Sequence, residues 1–217
     1  MEKIGRTARI RYDEGCLAAH ALNLVGDRWA LLVVRELMLA PRRFQQVRAG
    51  LPGITAAVLS QRLGQLTLAG VVRHDTATGL YALTPSGHDL LPVLQAMCRW
   101  GARHPGHDPR RFISPTALMI SMTAMMASDA ARGRHAVAGF RSGSDDFVQR
   151  LTGDGVLRVE AGCDPSAAFV LAGGGNGLAR AVYGAAPLAD LAGQGVIAVA
   201  GDLAAAQAHV DLFHLRG

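Results

Sequence analysis

The chain has 217 residues, half of them hydrophobic, with 22 Lys and Arg against 17 Asp and Glu for a formal net charge of +5. That length holds one large domain or two of about 100 residues each, and the apolar content excludes wholesale disorder. No window approaches the roughly 20 apolar residues that span a bilayer, the first residues (MEKIGR) carry no apolar signal stretch, and Cys16, Cys98 and Cys163 lie too far apart for a metal motif or a disulfide framework. A cytoplasmic protein with no metal, no cofactor and no membrane partner is the expectation.

Charge is unevenly spread. Residues 1–112 hold 15 basic and 8 acidic side chains, whereas residues 113–217 hold 7 and 9. A polyanion therefore suits the first half and not the second. Lys3 is the one lysine, and the dominance of Arg reflects a GC-rich genome more than a chemical preference.

Residues 1–15 form a polar arm with Lys3, Arg6, Arg9 and Arg11, suited to a frayed end, a second subunit or phosphates. Apolar residues recur at helical spacing over residues 17–39, interrupted at Gly26-Asp27, where Asp27 is expected to cap a helix over residues 28–39. Trp29 is expected in the core. Pro41 stops this helix, a short one follows over residues 44–49, and Leu51-Pro52-Gly53 ends it. Thr55 then caps a helix lasting to Ala69, with Gly70 as its stop. Leu59, Leu63 and Leu66 must face the core, so Ala57, Ser60, Gln61, Gly64 and Gln65 point away. That outer face is small and polar with no acidic residue, as a helix entering a DNA groove requires.

Strands over residues 71–74 and 80–83 make a hairpin, with Arg73 and His74 placed to meet a backbone. Thr84 caps a further helix whose broad apolar face (Leu90, Leu91, Leu94, Met97, Cys98, Trp100) exceeds the needs of one domain and predicts a dimer partner.

Cys16, residues 22–29 (LNLVGDRW), Arg35-Glu36-Leu37, Pro41-Arg42-Arg43-Phe44, Leu51-Pro52-Gly53-Ile54, Leu59-Ser60-Gln61-Arg62-Leu63, Ala69-Gly70-Val71 and Leu83-Thr84-Pro85-Ser86-Gly87 resemble the HxlR family. These are winged helix-turn-helix bacterial transcription regulators related to the MarR group. The resemblance covers about residues 14–104 and implies a homodimer on pseudo-palindromic double-stranded operator DNA, joined through the N-terminal arm and the helix after the wing. Leu17 stands where the family has Pro after the cysteine, and the wing is short. The candidate DNA-binding set is Arg42, Arg43, Thr55, Ala57, Ser60, Gln61, Arg62, Gln65, Arg73 and His74. Within it Arg42 and Arg43 clamp phosphates, Arg28 and Arg62 are weaker phosphate candidates, and Ser60 and Gln61 read bases. Cys16, near a helix start and basic arm residues, suits a reactive thiol, with a buried structural thiol as the bland alternative.

Residues 105–114 read as a linker between a domain over 1–104 and another over 115–217. A Met-rich helix over 115–128 precedes strands over 137–140, 146–151, 156–160 and 167–171, a helix near 177–183, a strand over 196–200 and a helix over 203–213. Residues 164–169 (DPSAAF), 195–202 (GVIAVAGD) and Leu212-Phe213 resemble the sterol carrier protein type-two fold, over residues 115–213. That resemblance implies an α+β sheet with helices over an apolar tunnel for a hydrophobic small molecule. A pocket lined by Met119, Met122, Met126, Phe140, Phe147 and Phe169 is expected, against the plainer reading of the Met stripe as core. The glycine run at residues 173–177 opens no phosphate loop and reads as a flexible connector, and no nucleophile–base constellation points to an enzyme.

The expectation is thus an α+β chain: a winged helix-turn-helix domain followed by a sterol-carrier-like domain. Its function is that of a ligand-responsive homodimeric repressor. The alternatives are a redox or electrophile sensor acting through Cys16, and a lipid carrier or oligomerisation module fused to a DNA-binding tether.

Overall fold

The computed structural model describes residues 11–215, so Lys3, Arg6 and Arg9 of the arm lie outside the described residues. Helices α1 (Leu17–Val25) and α2 (Ala30–Leu37) turn by 75° about Gly26, where a Cβ would stand 2.5 Å from the Leu22 carbonyl oxygen. Asp27 does not cap α2. The helix starts after Trp29, which sits at φ 77 without a side-chain cap. The Asp27 carboxylate instead accepts from Arg62 Nη1 at 2.7 Å, while Arg62 Nε donates to the Arg28 carbonyl at 3.0 Å. Arg62 thereby ties the α1–α2 turn to the helix that carries it. Trp29 is half-buried, with the Arg28 guanidinium 5.7 Å from its ring.

Strand β1 (Arg42–Arg43) leads into α3 (Phe44–Ala49), and α4 (Ala56–Leu68) follows with Leu59, Leu63 and Leu66 buried. Thr55 Oγ1 accepts from the Val58 amide at 3.3 Å, and Gly70 at φ +70 ends the helix. Strands β2 (Val72–Asp75) and β3 (Leu80–Leu83) form the hairpin, and β1 adds to its far side in the order β1-β3-β2. The helix predicted from Thr84 is divided into α5 (Pro85–His88) and α6 (Leu91–Ala102). Pro92 divides it, because its ring crowds the carbonyl four residues back and it has no N–H to donate.

The second half is a five-stranded mixed sheet with helices against it. Helices α7 (Pro115–Met125) and α8 (Ser128–Ala131) precede β4 (Ala136–Ser142), β5 (Asp145–Thr152), β6 (Val156–Ala161) and β7 (Phe169–Ala172). Then come α9 (Gly175–Tyr183), α10 (Leu188–Gly193), β8 (Ala198–Gly201) and α11 (Leu203–Val210). The sheet order is β6-β5-β4-β7-β8, with β7 parallel to β4 and the remaining pairs antiparallel. Gly139 sits between β5 and β7 because a Cβ there would meet the Val170 side chain at 2.8 Å.

This core encloses a buried polar pair. Gln149 Oε1 lies 2.8 Å from His209 Nε2, and the amide nitrogen of Gln149 donates to the Met119 and Met122 sulfurs at 3.5 and 3.2 Å. The imidazole is ringed by Phe140, Phe169 and Phe213, and its Nδ1 has no hydrogen-bond partner. Burial keeps it neutral and pushes its pKa down from 6.5 to about 4.

Two buried clusters result, and α7 belongs to both. Leu118, Met119 and Met122 enter the sheet core, whereas Ile120 joins the core built by α2, α4 and the hairpin. Arg42 crosses the junction and is only 7% exposed. Its Nε donates to the Glu36 carbonyl at 3.0 Å, its Nη2 to Thr116 Oγ1 at 3.0 Å, and its two terminal nitrogens to both Asp145 oxygens at 3.1 and 3.0 Å. The expectation that Arg42 clamps phosphate is corrected here: in a strand, neighbours face opposite sides, so Arg42 turns inward and only Arg43 outward.

The glycine run is no loose connector either. Gly175 lets α9 approach Ile113, whose carbonyl oxygen would be 2.2 Å from a Cβ. Asn176 then accepts from the Ile113 amide at 3.2 Å and donates to the Arg110 and Arg111 carbonyls at 3.1 and 2.8 Å. Residues 110–113 are thus fastened to the second half.

Two measurements test these cores. Below pH 6.5 the unfolded chain protonates a histidine that the folded chain keeps neutral. The contribution of His209 is therefore complete above about pH 6.5 and drains away as pH falls to about 4, by roughly 3 kcal/mol. In urea unfolding at pH 7 and pH 4.5, His209→Gln should lose this part of the wild-type pH slope. Arg42→Ala should cost about 3 kcal/mol at pH 7, the low end for breaking a buried pair, because 26% of the Asp145 side chain remains in water. An Arg42→Ala variant as stable as the parent would remove the junction from the fold's supports.

Candidate nucleic-acid interface

The α4 surface opposite its buried leucines is open. Thr55, Ala57, Ser60, Gln61 and Gly64 are exposed, and a Cβ at Gly64 would meet nothing within 4 Å. The helix carries no acidic residue, so nothing on that face repels a phosphate backbone. Thr55 divides its role: the hydroxyl serves as cap, which leaves its methyl and backbone on the surface. Arg62 and Gln65 are less free than expected. Both are half-buried, and Arg62 Nη1 donates to the Gln65 side-chain oxygen as well as to Asp27. Arg62 is a bolt between helices rather than a phosphate clamp.

Arg43 is the exposed member of β1. Its guanidinium reaches the tip of the hairpin, 3.6 Å from the place of a Cβ on Gly79, which sits at φ +70. The amide of Arg43 donates to Gln46 Oε1 at 2.8 Å, closing the first turn of α3. On the hairpin itself, Arg73 is exposed, and His74 stacks on Tyr81 with ring centroids 4.1 Å apart. The turn is held by Asp75, whose carboxylate accepts from the Ala77 amide at 2.9 Å and the Thr78 hydroxyl at 2.8 Å. The Thr78 hydroxyl and the two backbone amides hold this carboxyl below the usual carboxylate range.

The six residues expected around a hydrophobic ligand do converge, but as filled core. Met119, Met122, Phe140, Phe147 and Phe169 are buried, and Met126 packs half-buried against them. The cleft beside Phe140 and Phe147 holds about 30 Å³, room for a water or two. The pocket expectation is corrected accordingly: the thioethers of Met119 and Met122 are spoken for by Gln149, Phe140 and Phe169 pack on His209, and Phe147 is buried in the same cluster.

Cys16 precedes α1 as an exposed thiol among the described residues. Cys98 is half-buried in α6, and burial pushes its thiol pKa up. Among the described residues no group of three or more His, Cys, Asp or Glu could hold a metal ion, and no single helix is long and apolar enough to cross a membrane. The residues that sequence reasoning missed are Glu36, Ser114, Thr116 and Asp145. Each carries an ordinary local pattern and becomes informative only through a partner far along the chain, 103 residues away for Arg42 and Asp145.

Residues 24–109 match the family model described as HxlR-like helix-turn-helix. An HTH-type transcriptional regulator of Bacillus subtilis (strain 168), YvaP, is 35% identical over 85 residues, 37% of this chain and 79% of that protein. Another from Synechocystis, sll1512, is 35% identical over 92 residues, 40% of this chain and 68% of that protein. Among solved structures, quinone-bound YodB from B. subtilis is 32% identical, covering 39% of this chain and 93% of that one with a TM-score of 0.36. Matched through its first half, the chain belongs to the HxlR-like helix-turn-helix family.

Proposed function

We propose that this chain is a homodimeric repressor of transcription that binds pseudo-palindromic operator DNA and whose second half reports a small-molecule signal. One observation carries the DNA reading: the outward face of α4, free of acid and flanked by exposed Arg43 and Arg73. In that docking Ser60 and Gln61 meet base edges, with Ala57 and Thr55 close to the groove floor. Arg43 and Arg73 hold phosphates, and Arg42 and Arg62 support the geometry from behind.

A dimer accounts for apolar side chains that a lone chain leaves in water. Leu17, Leu22 and Leu24 on α1 and Val93, Met97 and Trp100 on α6 are all exposed. The division into a DNA-binding unit over 1–104, a linker over 105–114 and a sterol-carrier-like unit over 115–217 is part of the same proposal. What supports it is the three-stranded meander, the parallel return of β7 and the helices packed on the sheet. A filled core argues against the second half as a lipid carrier, which needs an open tunnel.

The reading is tested on a duplex selected by the protein from a random pool. Fluorescence anisotropy should give two chains per duplex. Gln61→Ala should lose about 1–3 kcal/mol at one base position, whereas Arg43→Ala should weaken every duplex and lower the salt slope by about 1. If both variants titrate like the parent on every sequence, this docking is wrong.

The exposure of Cys16 favours one second reading, control by oxidants or electrophiles. Peroxide should then release the parent from its duplex while Cys16→Ser stays bound. A Cys16→Ser protein that retains the full response would remove Cys16 from any sensing role.

A further inference from the structure

Where α3 meets the second half, a cleft of about 180 Å³ opens between Gln46, Ala49 and Gly50 on one side and Phe112, Pro115, Ser144 and Asp145 on the other. Glu36 and Arg42 form part of its lining. Glu36 is 2% exposed. Its Oε1 takes the three hydrogen bonds found on the carboxylate, from Arg35 Nε at 2.9 Å, Arg35 Nη2 at 2.7 Å and Ser114 Oγ at 2.7 Å. Its Oε2 lies over Gly50, where a Cβ would come within 2.2 Å, and accepts none of the hydrogen bonds found among the described residues. Four of the five guanidinium N–H groups of Arg42 are already donating. The Oε2 of Glu36 is spare acceptor capacity in this cleft, held by a buried carboxylate.

A carboxylate oxygen at the wall of a cleft takes a stronger, charge-assisted hydrogen bond from a cationic donor than from a neutral one. Part of the wall is apolar: the Phe112 ring, 54% exposed, with Pro115, Ala49 and Gly50. A cavity of about 150 Å³ holds benzene, so this one admits a single ring bearing a polar group and little more.

We propose that this cleft binds a small, flat organic cation, an aryl amidine or amine, with its nitrogen on Glu36 Oε2 and its ring against Phe112. The proposal rests on the regulator reading only for its consequence. The cleft joins α3, the first helix of the helix-turn-helix, to the β4–β5 turn of the second half, so a ligand seated there touches both units.

Benzamidine is the probe, titrated calorimetrically into the full-length protein with benzoate at equal ionic strength as control. Saturable benzamidine binding without benzoate binding is expected. Glu36→Gln presents an amide N–H₂ where the cation needs an acceptor and should weaken binding at least tenfold. Ser144→Trp places a bulky ring at the mouth from an exposed turn and should abolish binding. Benzoate binding as well as benzamidine, or Ser144→Trp binding undiminished, overturns the site. Should Glu36→Gln fail to fold, Ser144→Trp decides alone. Duplex affinity of the benzamidine-loaded protein is read separately. A bound probe that leaves that affinity unchanged counts for the site and against its part in control.

Discussion

Arg42 is held out of water with its guanidinium spread over three elements: the end of α2 through the Glu36 carbonyl, α7 through Thr116, and the start of β5 through Asp145. Taking such a charge from water costs several kcal/mol, and only a full set of partners in good geometry offsets it. Remove one of these elements and the remaining two face an unsatisfied cation. The helix-turn-helix and the sheet domain are consequently fixed by a group that tolerates little slippage. Glu36 repeats the constraint, since its carboxylate ties Arg35 of its own helix to Ser114 at the head of α7.

Ser114 does two jobs with one hydroxyl, which donates to Glu36 and accepts from the Ala117 amide as the α7 cap. The helix it starts is shared between both cores, so neither cluster can repack without moving α7. On the other side Asn176 fastens residues 110–113 to α9. A segment rich in turn formers thus serves as a strap rather than a free tether. The exposed face of α4 inherits its position from this frame through α2 and through Arg62, which locks α4 to the turn at Asp27 and Arg28.

Periodic elements were legible in the sequence because their cause is local. Leu59, Leu63 and Leu66 are buried where helical spacing puts them, Thr55 caps where a hydroxyl precedes an apolar run, and the hairpin turns at Gly79. The strands and helices predicted for the second half appear in that order for the same reason, while the short helices α8 and α10 were not predicted. Three features with distant causes were not legible. A two-residue strand leaves no alternation to read, so β1 went unseen and Arg42 and Arg43 were assigned one role between them. The Met and Phe side chains expected around a guest meet instead around Gln149 and His209, two polar residues 60 positions apart whose pairing has no sequence signature. Asp27 has the look of a cap, yet Arg62, 35 residues on, takes its carboxylate. The broken helix at Pro92 is different, since a proline two residues into an apolar run was visible and simply outweighed by the pattern around it.

The junction also bounds how a signal could act. Moving a two-state protein from 1:99 to 99:1 takes roughly 5.5 kcal/mol of preference for one state. The best small ligands reach only about 1.5 kcal/mol per non-hydrogen atom in total affinity, and most fall well short. A ligand confined to a cleft of about 180 Å³ has few atoms to spend, and much of its binding energy is common to both states. A guest at this junction can bias the regulator proposed above only through a difference between two arrangements of α3 against the β4–β5 turn, and the Arg42 fork restricts such arrangements to those in which it keeps its partners.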